Sequence, residues 1–483
     1  MKIEPVIALA PLQIAQALVG LGALAVFTRL MSADEFGVYA LALSLSLAAH
    51  TLLFTWIEAA AFRFLSVARA QGREPDHFAT LLAMAVGIAA LVSVAIAALF
   101  ILSPASSALI AFAGAAAILR CPVRIARETD RASLCIGRYA ALETVYLLSG
   151  FAAGVFLLSE LDLGAAAPFA GLLLAGALIA AIEAPRLLAK TNGGRISRKR
   201  AFQYAAYGAP LAGALAIDLG VQTGSRVILA LQAGVSEVGS YAAAFGMARP
   251  LDLMFVAAGA ALSPLLLRAY EEKGAGAVGD PARTGFSLIA AVGAPSALAL
   301  ALLAAPLAQL LVGPALSDSA ARALPWLAFA GLLSGCNLYY LSEAFQLTRR
   351  TGLRALLMLA PGLLQLALTA LLAREHGALG AAMAACIGAA VGAVLLYAVG
   401  RRLLALPLPL GQLGRIAAVS ALMAAAMSSV PNGSSFVLPL QIAVGCFAYA
   451  LFALVFDVAG LRMLLASRLQ RISAPPFGQA HAR

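Results

Sequence analysis

Residues 32–40 read S-A-D-E-F-G-V-Y-A, and 202 residues later residues 235–242 read V-S-E-V-G-S-Y-A. Glu35, Gly37, Tyr39 and Ala40 thus correspond to Glu237, Gly239, Tyr241 and Ala242. A chain that carries one stretch twice is constrained to build the same supersecondary unit twice. The preceding segments correspond as well, with Ala10-Pro11-Leu12 against Ala209-Pro210-Leu211 at an offset of 199. A third echo sets Leu163-Gly164-Ala165-Ala166 against Leu379-Gly380-Ala381-Ala382 at an offset of 216, so the order is kept while loops lengthen.

In both copies the motif joins two apolar segments of helix length. The chain is 63% apolar and 11% charged, whereas soluble domains carry about a quarter charged residues. It therefore reads as a bilayer protein, and the +11 net charge is a matter of loop placement rather than of nucleic-acid binding. Spans are expected near residues 5–28, 36–57, 78–102, 105–120, 138–158 and 164–183 in the first copy. The second copy gives 202–224, 237–262, 284–311, 323–342, 353–373 and 377–400, and two more follow near 413–430 and 435–456. Residues 78–120 read as one helix would be roughly 64 Å long against a hydrocarbon core of about 30 Å, so Ser103-Pro104 is expected to turn the chain. Residues 1–28 lack a basic leader and are expected to remain as the first span.

The expected fold class is an all-α polytopic membrane protein of about fourteen transmembrane helices. Two six-helix lobes, residues 1–192 and 193–402, are joined through the polar run 190–200, and residues 403–483 add two helices and a tail. An even number of spans per copy gives both copies the same orientation, related by a pseudo-twofold axis along the membrane normal. With a cytoplasmic N-terminus, the cytoplasmic loops and tail hold nearly all of the 33 lysines and arginines. The opposite loops hold Arg29, Arg226, Arg322 and Arg374, and Arg249 lies within a span. This asymmetry places both termini in the cytoplasm and explains the basic loops as orientation signals.

Residues 28–40 resemble the first loop and second helix of bacterial polysaccharide flippases, a branch of the multidrug/oligosaccharidyl-lipid/polysaccharide exporter superfamily. Residues 207–244, ending G-S-Y-A-A-A, resemble the start of their second lobe. The resemblance implies alternating access through a central cavity. It also implies translocation of a polyprenyl-diphosphate-linked oligosaccharide to the outer face of the bacterial inner membrane, for exopolysaccharide, capsule or O-antigen (lipopolysaccharide) synthesis. Membrane lipid, a polysaccharide polymerase and glycosyltransferases are the implied partners. Ser225-Arg226 departs from the pattern, since relatives often have an acidic residue beside that arginine.

Ionisable groups within spans are costly and point to function. Arg249 and Asp252 lie three apart on one face of the eighth span, and Asp218 lies in the seventh. A guanidinium keeps its charge and bonds phosphate oxygens in pairs, which suits Arg249 to a diphosphate; the alternative is an ion pair with Asp252 or Asp218. Asp218 and Asp252 are candidates for coupling to a proton or sodium gradient. Under the 202 offset His50 is the counterpart of Asp252 and either faces a cleft or bonds helix to helix. Gln13 and Gln16, one turn apart, and Arg29 and Arg226 complete the candidate substrate-binding set, the arginines either drawing in an anionic head group or snorkelling. Pro11 and Pro210 interrupt corresponding helices. Gly37 and Gly239 are expected at close helix contacts, and Tyr39 and Tyr241 at the membrane interface.

Catalytic and metal-binding motifs are missing from the sequence, and no resident cofactor is expected: the four histidines do not cluster, and the five cysteines form no C-x-x-C pair. Asn432-Gly433-Ser434 reads as a turn. Rival readings are a multidrug antiporter of the same superfamily, which calls for an acid-rich cavity, a non-transporting scaffold for glycan assembly, and an integral membrane glycosyltransferase.

Overall fold

The computed structural model describes residues 4–102, 107–430 and 437–462, and every regular element among them is helical. The first repeat supplies α1 (Glu4–Leu30), α2 (Ala33–Leu53), α3 (Thr55–Ala70), α4 (Glu74–Leu102), α5 (Ser107–Ala132), α6 (Ile136–Leu161) and α7 (Ala167–Ala189). The second supplies α8 (Arg198–Ala233), α9 (Val235–Lys273), α10 (Gly279–Leu302), α11 (Ala304–Leu311), α12 (Pro314–Cys336), α13 (Glu343–Leu347) and α14 (Thr351–Leu403). The chain then continues through α15 (Leu410–Ser428) and α16 (Val437–Val455). The turns expected at Ser103-Pro104 and at Asn432-Gly433-Ser434 lie outside the described residues.

Local chemistry sets the breaks. Ser32 caps α2, accepting from the Glu35 amide while the Glu35 carboxylate accepts from the Ser32 amide, and the two together end α1 and start α2. Gly234, at φ 94, closes α8 and lets α9 begin at once. Gly377, at φ 52 and ψ −130, interrupts the 53-residue α14 between the segments expected at 353–373 and 377–400.

Eleven helical stretches among the described residues are long and apolar enough to cross a membrane, where the sequence suggested fourteen. The difference is local. The α14 stretch counts once despite its break, and α9 and α12, which carry Arg249, Asp252, Asp318 and Arg322, fall outside the eleven. Several helices also outrun the expected spans: α8 has 36 residues and α9 has 39, roughly 54 and 58 Å at 1.5 Å per residue. Both therefore extend well beyond a hydrocarbon core of about 30 Å.

The described chain forms two compact units, and these do not follow the boundaries expected at 192 and 402. The first takes the residues up to Met247 together with Ala308–Ala323 and Gly362–Ala384; the second takes Ala248–Leu307, Leu324–Pro361 and the residues from Ala385 on. In the first unit Phe54, Ile57, Leu65, Phe78, Leu81, Ile125 and Tyr204 form a core between α3, α4, α5 and α8. Gly154 of α6 and Gly171 of α7 bring those two helices into backbone contact. The run 190–200, expected to be a linker, is fastened to the start of α4: the Arg195 amide donates to Asp76 at 2.8 Å and the Ser197 amide to Thr80 Oγ1 at 3.2 Å.

In the second unit Phe255, Phe286, Tyr340, Phe345 and Leu396 belong to one apolar core. The two C-terminal helices are part of this unit. Ile416, Val419 and Ala453 pack with Ala290 and Ala291 of α10, and the Tyr449 hydroxyl donates to the Ala291 carbonyl.

Candidate functional site

The two copies of the duplicated motif meet inside the first unit. Gly37 of α2 lies so close to α9 that a Cβ there would collide with the Val235 carbonyl. In return, a Cβ on Gly239 would sit 3.2 Å from the Ala33 carbonyl and from the Gly37 amide nitrogen. Only glycine permits this approach of one helix start to the other. The close contact expected of both glycines is therefore present, and it is a contact of each copy with its counterpart.

The acidic residues of the motif perform matching tasks. Glu35 completes the α2 cap through Oε2, at 2.8 Å from the Ser32 amide, and its Oε1 faces Gly164, where an added Cβ would lie 2.9 Å from it. Gly164 has φ 49 and opens the turn into α7. In the second copy Glu237 Oε2 accepts from the Ala378 amide at 2.7 Å and from Ser319 Oγ at 3.1 Å, beside Gly377 with φ 52. Each glutamate thus sits against a left-handed glycine in a later turn of its own repeat. By this criterion Gly164 pairs with Gly377, a register three residues from the one that aligned Gly164 with Gly380.

The remaining arginine-poor loops join the same cluster. The Gly313 amide donates to Thr28 Oγ1 at 2.9 Å, and a Cβ on Gly313 would strike the Thr28 carbonyl. Arg29 donates to the carbonyls of Ala25 at 2.8 Å and Leu310 at 2.6 Å. Arg374 Nε donates to Gln232 at 2.9 Å, and Gln365 Nε2 to Ser225 at 3.2 Å. Chemically this is a seal of close backbone contacts and hydrogen bonds in which single charged groups, Glu35, Glu237, Arg29 and Arg374, meet neutral partners.

Several site residues expected from sequence are placed differently. Arg226 was expected at the outer end of its span, but α8 runs on to Ala233, which puts Arg226 inside the helix. It donates to Ser44 Oγ and stacks 5.4 Å from the Phe245 ring centroid and 6.0 Å from that of Tyr241. Arg29 is exposed at the end of α1, with its guanidinium bonded to the Ala25 and Leu310 carbonyls. Of the two alternatives for His50, the structure shows the bond from helix to helix: it is 5% exposed, with Nε2 at 2.8 Å from Glu58 of α3 and Nδ1 at 3.2 Å from the Ala117 carbonyl of α5. Tyr241 is 5% exposed, and Tyr39 packs edge-on against Phe27 and Phe169, so both tyrosines pack within the first unit.

Gln13 and Gln16 are exposed along α1, and Asp218 is exposed on α8, all three in the first unit. Arg249 and Asp252 are exposed on α9 in the second unit, and no salt bridge joins them among the described residues.

The first unit also holds a charged lattice that lies outside the candidate residues expected from sequence. Arg120, Arg124, Arg127 and Arg131 recur at helical spacing along the last three turns of α5, a signal masked by counting them as loop charges. Glu58 accepts from His50 and, at 3.2 Å, from Arg124; Arg127 pairs with Glu143 and lies 5.3 Å over the Tyr146 ring. Asp130, fully buried, binds Arg186 at 2.7 Å and Arg138 at 3.5 Å, and Glu183 binds both of those arginines. Each buried carboxylate has at least one guanidinium, so the lattice is a frame that fixes α3, α5, α6 and α7 to one another.

A duplicated, all-helical, multi-span chain whose copies close on their own first loops has the fold of the multidrug/oligosaccharidyl-lipid/polysaccharide exporter superfamily. The lipid II flippase MurJ in an inward closed conformation superposes with a TM-score of 0.71 over 94% of this chain and 99% of that one, at 14% identity. An inward-facing multidrug resistance transporter of the MATE family gives 0.62 over 82% and 97%, also at 14% identity. A superfamily transporter from Pyrococcus furiosus with a binding pocket of reverse polarity gives 0.54 over 82% and 95% at 15% identity. No curated protein matches the chain in sequence. The family model described as polysaccharide biosynthesis protein matches residues 26–321, and the chain belongs to that family.

Proposed function

We propose that this protein flips a polyprenyl-diphosphate-linked oligosaccharide from the cytoplasmic to the outer face of the bacterial inner membrane by alternating access. The observation that carries the reading is the seal of the first unit, in a member of a polysaccharide biosynthesis family. Loops from both repeats that sequence assigns to one side of the membrane are gathered there and held by contacts that can part. Such an end is a gate, closed here, that opens when cargo leaves. With the arginine-rich loops on the opposite side, both termini lie in the cytoplasm and the closed gate faces outward.

Arg249 receives the diphosphate, since a guanidinium on a helix face meets phosphate oxygens bidentately. Gln13 and Gln16 offer amides to sugar hydroxyls, and Asp218 and Asp252 are the candidates for coupling to a proton or sodium gradient. The glycan supplies exopolysaccharide, capsule or O-antigen assembly, where a polymerase or glycosyltransferases are the expected neighbours.

Deleting the protein is expected to leave the lipid-linked oligosaccharide on the cytoplasmic face, read by its accessibility to a membrane-impermeant glycosidase in oriented vesicles. An unchanged distribution overturns the reading. Arg249→Ala is expected to abolish transport with the protein folded in the membrane, and normal transport by that variant removes Arg249 from the mechanism.

A further inference from the structure

In the second unit one buried carboxylate has no salt-bridge partner among the described residues. Glu343, the first residue of α13, is 2% exposed, and its hydrogen bond among the described residues is with Ser263 of α9, whose Oγ lies 2.5 Å from Oε1. It follows a π-helical turn, Asn337–Leu341, a distortion that is frequent at functional sites in helices. That turn sits in the same apolar core as Leu262, Leu266, Ala344 and Phe345, so Glu343 is bounded by hydrocarbon along its own element and along α9.

The charged and titratable groups nearby are otherwise engaged. Arg354 of α14 donates to Ser342 at 2.6 Å, and Arg401 of α14 lies 5.9 Å over the Tyr397 ring. Tyr340 donates to the Pro407 carbonyl at 2.6 Å, Arg268 of α9 pairs with Glu272, and Arg283 of α10 pairs with Asp280. Tyr270 of α9 packs into the apolar cluster. No lysine, arginine or histidine forms a salt bridge with Glu343 among the described residues, in contrast to Glu58, Asp130, Glu143 and Glu183.

A carboxylate removed from water without a cation is too costly to keep charged, and the neutral acid is the form such a site holds. We propose that Glu343 is a proton-binding site of the transport cycle. It carries a proton, taken from water, while α9 and α13 are packed as here, and releases it to water when their separation breaks the Ser263 bond and hydrates the carboxyl. The proposal rests on the transporter reading, adding to it a coupling group that is neither Asp218 nor Asp252.

The test is infrared difference spectroscopy on the full chain in lipid nanodiscs, titrated from neutral to alkaline pH. The wild type is expected to show the carbonyl stretch of a protonated, buried carboxylic acid at neutral pH, shifted in deuterium oxide and lost on alkalinisation, and Glu343→Gln is expected to lack that band. A wild type without the band, or a variant that keeps it, overturns the proposal. If Glu343→Gln does not fold, Ser263→Ala serves instead: loss of its hydrogen bond should move the band, and an unmoved band overturns the assignment. Sodium that removes the band at constant pH shows a metal-cation site and overturns the proton reading. Because the band reports the carboxyl without any transport, its failure is separate from that of the flippase reading, which the glycan distribution tests.

Discussion

The two units solve the problem of buried polarity in opposite ways. In the first, acidic groups on α3, α5, α6 and α7 are each met by arginine, from Glu58 with Arg124 to Asp130 with Arg186 and Arg138. In the second, the salt bridges among the described residues are Arg268–Glu272 and Arg283–Asp280, both exposed and both within one helix, and the interior is apolar. A lattice of paired charges holds helices in one arrangement, because removing either partner strands the other. An apolar interior with one unpaired acid lets its helices slide and lets the acid change charge. The first unit is built to be rigid and the second to be adjustable.

The largest effects should come from breaking each unit by its own means. The double variant Arg138→Ala/Arg186→Ala strips Asp130 and Glu183 of both their salt-bridge partners and is expected to destabilise the protein by about 3 to 5 kcal/mol, the usual cost of breaking a buried pair from one side. Phe255→Ala in the second unit opens a cavity where Gly293 and Gly335 close on the ring, at about 3 to 5 kcal/mol. The two costs are similar but their rescues differ, and thermal unfolding in detergent reads both. A variant that replaces Asp130, Glu183, Arg138 and Arg186 together by apolar residues should recover much of the first loss, since a replaced ion cluster is often neutral. Failure of that rescue would mean that the lattice does more than balance charge.

A smaller effect is expected at the seal. Gly37→Leu places a side chain where the Val235 backbone lies, and overpacking of this kind costs about 1 to 3 kcal/mol. Its consequence should be conformational as well as energetic. Single cysteines placed at Ser32 and Ser319 are expected to become more reactive to an impermeant thiol reagent in Gly37→Leu than in the parent. Unchanged reactivity would show that the contact is not the gate.

The seal was legible in the sequence because duplicated contacts leave duplicated residues: Glu35 with Gly37 and Glu237 with Gly239 stand out against an alanine-rich background. The α5 arginines were legible in principle, since helical spacing puts them on one face, but a span cut at residue 120 assigned them to a loop. Arg226 was misplaced, and His50 left between two readings, for a related reason. Burial inside a lobe and exposure to a cleft give the same one-dimensional pattern, and only the partners Ser44, Glu58 and the Ala117 carbonyl tell them apart. Glu343 could not be read at all, because what distinguishes it from other acids at helix ends is burial without a salt-bridge partner among the described residues, a property of three dimensions.

The smallest expected effect is the sharpest test of the comparison. Glu343→Gln exchanges a neutral acid for a neutral amide of nearly the same shape, which keeps an acceptor for Ser263, so stability should change by less than about 1 kcal/mol. Asp130→Asn is the same change of chemistry at a paired site, where the amide leaves Arg186 and Arg138 facing a group without charge, and it should cost several times more, about 3 kcal/mol or above. Measured side by side at neutral pH, the two variants separate an acid that is ionised and holds a frame from one that is protonated and free to exchange. Equal losses would place Glu343 in the same class as Asp130 and erase the distinction between the units.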